Sequence, residues 1–150
     1  MYRNPPRREA AALVRGTHLS RAQDRLLEMA LALLGPLEGR IMRVVWVGAV
    51  KPPFVVRDVR DHMSELAYTT VMSTLARLAE KGLLRAEKAE GVRAHQYHAA
   101  GSPEEFLAVE SRRQVEEFVE RYGDAALAAF WARLETLDPK SRSRLEKLAR

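Results

Sequence analysis

Apolar residues recur every three or four positions along most of this chain, a spacing that indicates amphipathic helices. The first such segment predicts a helix over residues 20–34, because Ser20 and Gln23 form a capping-box pattern and Gly35-Pro36 follows. Its expected apolar face comprises Leu19, Leu26, Ala30, Leu33 and Leu34. Residues 1–16 are rich in Arg, Pro and Ala without a period, which predicts disorder.

The next segment, residues 37–101, combines helical and strand patterns. The predicted elements are, in order, helices at about 37–47, 56–63 and 68–81, then strands at 83–88 and 94–98. Between the two strands, Glu90-Gly91 is a turn signal. Three helices followed by a β-hairpin are the element order of a winged helix, a variant of the helix-turn-helix.

Three further helices are predicted in residues 102–150, each with a marked start. Ser102 and Glu105 form a second capping box, Asp124 is expected to cap the following helix, and Asp138-Pro139 begins the last one. Amphipathic helices this short cannot bury aromatic-rich faces alone, so we expect them to pack against a second copy. The predicted dimer interface comprises Phe106, Phe118, Tyr122, Leu127, Phe130, Trp131 and Leu134.

Together these patterns predict a mainly α protein with a small β-hairpin. The expected organisation is an N-terminal extension over residues 1–36, a winged helix-turn-helix DNA-binding domain over residues 37–101, and a helical dimerisation domain over residues 102–150.

Charge and composition narrow the functional class. The 150-residue chain has a formal net charge of +5. Residues 37–101 contain 10 basic and 7 acidic residues, whereas residues 102–150 contain 9 basic and 10 acidic residues. The excess of basic residues in residues 37–101 is compatible with binding to a polyanion. Cysteine is absent, which excludes disulfides and fits a reducing compartment. No apolar stretch approaches the ~20 residues that cross a bilayer, so we expect a cytoplasmic protein.

The third predicted helix carries the pattern of a recognition helix. Placed at about 100° per residue, Val71, Met72, Leu75, Leu78 and Ala79 are expected to face the core. Short hydroxyls followed by basic groups fill the other side, as contact with base edges in the major groove requires. The candidate base-reading residues are Thr69, Thr70, Ser73, Thr74 and Arg77. An ordinary solvated helix face is the alternative, although such faces usually show Glu/Lys pairs and here only Glu80 is acidic.

Basic residues around the hairpin are candidates for phosphate contacts, because a wing tip can reach the DNA backbone. The predicted phosphate and wing residues are Lys51, Lys81, Arg85, Lys88 and Arg93. For any single one of them, an ordinary surface charge is about as good an interpretation.

No pattern in the sequence supports catalysis. The chain contains no phosphate-binding loop, dinucleotide fingerprint, HExxH or G-x-S-x-G sequence. His95 and His98 lie three apart on a predicted strand and would point to opposite faces, so we expect neither a metal site nor any cofactor. We likewise expect no small-molecule substrate.

Several sequence runs resemble those of one known family. They are Val56-Arg57-Asp58-Val59, Ala67-Tyr68-Thr69-Thr70-Val71, Lys81-Gly82-Leu83-Leu84, Arg93-Ala94-His95-Gln96-Tyr97 and Ser102-Pro103-Glu104-Glu105-Phe106. Over about residues 37–150 the chain resembles the penicillinase-repressor (BlaI/MecI/CopY) family. This resemblance implies a dimeric winged-helix repressor whose third helix enters the major groove. It also implies pairing with a membrane sensor-protease that inactivates the repressor by cleavage.

The sequence thus predicts a transcriptional repressor that binds a pseudo-palindromic double-stranded DNA operator as a homodimer. The alternative is a winged-helix module that docks a protein and leaves DNA alone. An acidic or apolar face on the third helix would distinguish that alternative.

Overall fold

The computed structural model describes residues 20–88, 90–91 and 94–150. The predicted disorder of residues 1–16, the position of Leu19 and the wing residue Arg93 lie outside these ranges. The described elements are α1 (Arg21–Ala32), α2 (Pro36–Trp46), α3 (Val56–Arg60), α4 (Tyr68–Glu80), β1 (Leu84–Lys88), β2 (His95–Ala99), α5 (Pro103–Tyr122), α6 (Asp124–Glu135) and α7 (Pro139–Leu148). The chain divides into two compact units, which within the described ranges are residues 20–107 and 108–150.

The first unit is built around one hydrophobic core to which α1 to α4 and both strands contribute. Ile41, Val71 and Leu78 are completely buried in it. Gly48 and Gly82 follow α2 and α4 with φ of 76° and 80°, the left-handed conformation that lets a chain leave a helix sharply. The predicted order of helix, helix, helix, strand, turn and strand is confirmed, and the fold of this unit is a winged helix.

The wing is an antiparallel hairpin extended by a third segment. In the β1–β2 register, Leu84 pairs with Ala99 and Lys88 with His95. Phe54, in the connection between α2 and α3, forms a bridge to Tyr97 through two backbone hydrogen bonds of 2.9 and 2.8 Å. The rings of Phe54 and Tyr97 stack with centroids 6.1 Å apart. This bridge fastens the base of the wing to the helical core.

Helix α1 is an integral part of the first unit. Ser20 and Gln23 form the predicted capping box, and Leu27, Ala30 and Leu31 are buried. The predicted apolar face was partly wrong, because Leu33 is 54% exposed and the buried stripe passes through Leu27 and Leu31 instead. The helix ends at Ala32, two residues before its predicted end, and residues 33–35 lead directly into α2.

The second unit consists of helical segments, and one of its two predicted caps, Asp138, is confirmed. Asp138 caps α7, its side chain accepting a hydrogen bond from the Ser141 backbone N–H at 2.9 Å. That bond is the main reason why the pKa of Asp138 is lowered from its ordinary value. Gly123 rather than Asp124 is the N-cap of α6, with Asp124 placed in the first turn. A carboxylate there still interacts favourably with the helix dipole.

Leu27→Ala should lower the free energy of unfolding by about 2–4 kcal/mol, because it deletes a buried side chain from the core of the first unit. The matched control is Leu33→Ala, which removes an exposed leucine and should cost less than about 0.5 kcal/mol. Urea unfolding of both variants measures the difference. Equal losses would mean that α1 does not contribute to the core as described.

Candidate nucleic-acid interface

Helix α4 is the predicted recognition helix, and its rotation about its own axis is fixed by the core. The buried residues are Val71, Thr74, Leu75 and Leu78. Thr74 was predicted to read bases, and that prediction is wrong. Its side chain is 1% exposed, and its hydroxyl donates a 2.8 Å hydrogen bond to the carbonyl oxygen of Thr70. This bond satisfies a buried hydroxyl within the helix, so Thr74 packs as a core residue.

The outward face of α4 is consequently rotated from the predicted one. Thr69, Ser73 and Arg77 are exposed as expected, and Thr70 is half-buried at the edge of the face. Met72 was predicted to face the core, but its side chain is 44% exposed. Sequence reasoning also overlooked Tyr68, which begins the helix and is 47% exposed. The helical spacing of positions 71, 74, 75 and 78 could have identified Tyr68 and Met72 as exposed. It defines the buried stripe of α4 once Thr74 is treated as a core residue.

Lys81 does not lie free beside the recognition helix, because its ammonium group forms an ion pair with Glu38 of α2. The Nζ atom donates to Oε1 of Glu38 at 2.7 Å. Glu38 is only 8% exposed, and Lys81 is its hydrogen-bond partner among the described residues. A buried carboxylate needs such a partner, so Lys81 has a structural role, and its contact with a phosphate stays a sequence-based prediction.

A second ion pair joins α2 to the segment that precedes α4. Arg40 binds the carboxylate of Glu65, and Arg60 donates its Nε–H to the carbonyl oxygen of Leu66 at 3.3 Å. Glu38 and Arg40, both on α2, therefore bind residues at the two ends of α4. The pKa of Glu65 is lowered, chiefly by the hydrogen bond from Arg40. We call Glu38, Arg40, Glu65 and Lys81 the α2 clamp.

Of the other predicted phosphate contacts, Lys51, Arg85 and Lys88 lie in the described part of the chain and are exposed, but they are not all on one surface. Lys51 lies in the connection after α2, Arg85 near the base of β1, and Lys88 at its end beside the turn. Arg85 and Lys88 are three residues apart on a strand, so they point to opposite faces of the hairpin. Arg85 lines a shallow depression together with Glu80 and Gly82 at the C-terminal end of α4.

Tyr97 on β2 belongs to the core of the first unit. Burial raises the pKa of Tyr97 on β2, and the nearby phenol of Tyr68 adds to the increase. His95 lies edge-on to Tyr97, with ring centroids 6.4 Å apart. Within the described residues no group of three or more His, Cys, Asp or Glu side chains could hold a metal ion.

All six predicted interface side chains in the second unit are exposed in the single chain. Phe118 contacts Tyr122 and Phe130, with ring centroids 4.7 and 5.5 Å apart, yet all three remain at least 40% exposed. Leu127 and Trp131 are exposed as well. An open groove of about 590 Å³ runs between α6 and α7 and is lined by Trp131, Leu134, Leu137, Arg142, Leu145 and Ala149, flanked by Glu135 and Glu146.

Phe106 is the exception among the predicted interface residues. It is half-buried against the core of the first unit, and its ring lies 5.8 Å from that of Trp46. Trp46 in turn donates its indole N–H to the carbonyl oxygen of Gly101 at 3.0 Å. Phe106 therefore connects the start of α5 to the winged helix, and its assignment to a dimer interface stays a sequence-based prediction.

The family of the chain follows from comparison with known proteins. The family model of the penicillinase repressor matches residues 34–150. The chain belongs to the penicillinase repressor family. The predicted resemblance is thereby confirmed, and so is the prediction of a transcriptional regulator of the winged-helix type in place of an enzyme.

Individual relatives agree with this family. The transcriptional regulator BlaI from each of two Mycobacterium tuberculosis strains, CDC 1551 / Oshkosh and ATCC 25618 / H37Rv, is 36% identical over 110 residues, which cover 69% of this chain and 75% of the relative. Helix α1 lies outside the match to the family model.

Two solved structures share a weaker likeness. A MarR/EmrR family transcriptional regulator from Acinetobacter sp. ADP1 matches at a TM-score of 0.39 and 20% identity, over 93% of this chain and 96% of that chain. The transcriptional regulator PA4135 matches at a TM-score of 0.41 and 16% identity, over 91% of this chain and 100% of that chain. Likenesses this low carry no argument about function. None of the described helices is long and apolar enough to span a membrane.

Lys81→Met should lower the free energy of unfolding by about 1–2 kcal/mol, because it leaves the buried Glu38 carboxylate unpaired. The loss stays small because the Lys81 side chain is exposed to solvent, which weakens the pair. Lys88→Met, on the exposed end of β1, is the matched control and should change stability by less than about 0.5 kcal/mol. Adding Glu38→Leu to Lys81→Met should recover part of the loss in a double-mutant cycle. A loss equal to that of the control would refute the clamp.

Proposed function

We propose that this chain represses transcription by binding a double-stranded DNA operator as a homodimer, with α4 in the major groove. The observation that carries the proposal is the outward face of α4. Hydroxyl groups of Thr69 and Ser73 lie toward its N-terminal half, and Arg77 follows one turn later. Glu80 is the one acidic residue of the helix, so little on this face repels a polyanion.

The base-reading set proposed from the structure differs from the predicted one. Thr69, Ser73 and Arg77 remain, with Thr70 at the margin, and Thr74 is removed because it is buried. Arg77 is the side chain best suited to discriminate, since a guanidinium donates two hydrogen bonds to O6 and N7 of guanine.

We propose Lys51, Arg85 and Lys88 as the phosphate contacts of the described residues, because all three are exposed cations around the recognition helix and wing. Arg93 stays a sequence-based expectation. Lys88 is the best placed at the wing tip, whereas Arg85 would reach a phosphate near the C-terminal end of α4.

The exposed apolar surface of the second unit supports the homodimer. Large apolar side chains that are exposed on α5, α6 and α7 include Val115, Phe118, Tyr122, Leu127, Phe130, Trp131, Leu134 and Leu145. A contiguous surface of this kind is characteristic of a protein interface. Two-fold symmetry would then place two copies of α4 on half-sites one helical turn, or a multiple of it, apart.

The proposed location and partners of the protein follow from operator binding and from its family. Binding to chromosomal DNA would place the protein in the cytoplasm and requires neither cofactor nor small-molecule substrate. Pairing with a membrane sensor-protease rests on family membership alone.

A module that docks a protein instead of DNA is the second candidate, and the exposed Tyr68 and Met72 give it some support. The same face also carries two hydroxyl residues and an arginine, which an apolar docking surface does not need. The DNA-binding measurements below decide between the two functions.

Arg77→Ala should weaken binding to a selected operator by about 1–3 kcal/mol while leaving binding to scrambled duplex nearly unchanged, because a base contact contributes mainly to the specific complex. Arg112→Ala, on the exposed surface of α5, is the control and should have no effect on either duplex. Fluorescence anisotropy titrations at fixed salt measure both affinities. Equal losses on both duplexes would assign Arg77 to a phosphate, and no binding by the wild type to any duplex would favour the docking module.

Phe130→Glu should shift the protein from dimer to monomer at micromolar concentration, because it places a charge in the centre of the apolar surface formed with Phe118. Gln114→Glu introduces the same charge at an exposed polar position of α5 and should leave the dimer intact. Sedimentation velocity distinguishes the two states. A Phe130→Glu variant that remains dimeric would show that this surface is not the interface.

A further inference from the structure

The exposed face of α4 carries an apolar edge beside its polar centre. Tyr68, Met72 and Ala76 are four residues apart, so their side chains lie in a row along one side of the helix. All three are exposed, and Tyr68 and Met72 are two of the large apolar side chains exposed in the first unit. We call these three residues the apolar strip.

The side chains of α4 limit which base pairs it can discriminate through hydrogen bonds. Arg77 matches guanine, whereas the hydroxyls of Thr69 and Ser73 donate to or accept from any base and discriminate little. Adenine is read by the bidentate amide of Asn or Gln, and the sequence Tyr68–Glu80 contains neither residue. The helix therefore has no side chain suited to recognise an A·T pair by hydrogen bonding.

Thymine has a second feature in the major groove, its 5-methyl group, which is recognised by apolar contact. The thioether chain of Met72 is flexible and polarisable, and it can adapt to a small apolar group. Tyr68 and Ala76 extend the apolar surface along the helix on either side of Met72, whereas the hydroxyls and Arg77 keep the neighbouring surface polar. Met72 lies at the middle of the strip, the position best placed to cover such a methyl group.

We propose that the apolar strip recognises the 5-methyl group of one thymine in each operator half-site and that Met72 is the specificity-determining residue of this contact. The inference rests on the proposed function, because it requires α4 to enter the major groove. It assigns the strip to DNA and not to a docked protein.

The experiment uses the whole chain and a duplex that it selects from a randomised pool. Each thymine of that duplex is replaced by deoxyuridine, first singly and then in symmetric pairs. Deoxyuridine keeps the hydrogen-bonding groups of thymidine and lacks only the 5-methyl group. Replacing the recognised thymine should weaken wild-type binding about four-fold in one half-site, the equivalent of one buried methyl group, and about fifteen-fold in both.

Variants assign the effect to Met72. Met72→Ala and the polar, similarly long Met72→Gln should bind the thymine and deoxyuridine duplexes equally, whereas Met72→Leu should keep the difference. Met29→Ala removes an exposed methionine from α1 and should behave as the wild type does. Because Met72 is exposed, its variants should melt at the wild-type temperature, which circular dichroism checks.

The outcomes separate the inference from the proposed function. A wild type that binds all thymine and deoxyuridine duplexes equally would overturn the methyl contact and leave operator binding intact. A methyl effect that persists unchanged in Met72→Ala and Met72→Gln would overturn the assignment to Met72. Failure to enrich any duplex above the starting pool would overturn the proposed function, and the inference with it.

Discussion

The burial of one face of α4 determines how this protein can meet a ligand. Val71, Thr74, Leu75 and Leu78 are almost completely enclosed by the core, and the hydroxyl of Thr74 is satisfied inside the helix by the carbonyl of Thr70. A helix held this way cannot turn about its axis without exposing apolar surface or leaving a buried hydroxyl unpaired. The identity of every outward residue, and so the chemistry of the recognition face, depends on this constraint.

Helix α2 adds a second constraint, because its ion pairs fix the two ends of α4. The α2 clamp joins Glu38 to the end of α4 and Arg40 to the segment before it. Helix α2 is also joined to α1, where Arg43 forms two hydrogen bonds, of 2.6 and 3.0 Å, with Glu28 and lowers the pKa of that carboxyl. The exposed pairs Arg40–Glu65 and Arg43–Glu28 contribute little stability, whereas the pair of Lys81 with Glu38 contributes more because its carboxylate is buried.

The two units of the chain differ in how far their apolar side chains are buried. The first unit closes a core by combining helices, a hairpin and the Phe54–Tyr97 bridge, and it draws in Phe106 from the start of α5. In the second unit Ala126 is the one fully buried residue, and its aromatic side chains remain exposed. Short helices cannot bury such surface alone. An interface with a second copy would bury this surface, and for this reason we propose that the protein is a dimer.

The sequence by itself determined the elements of this protein, since capping boxes, terminal glycines and apolar spacing are local signals. The limits of α4, the pairing of the strands and the cap at Asp138 follow from neighbouring residues alone. The apolar spacing also predicted most of the outward side of α4, but only the tertiary structure decided that Thr74 is buried and Met72 exposed, because this depends on the elements packed against the helix. The tertiary structure also decided the partners of Lys81 and Phe106, which lie 43 and 60 residues away along the chain at Glu38 and Trp46. Contacts over such separations leave no periodic signal in a single sequence.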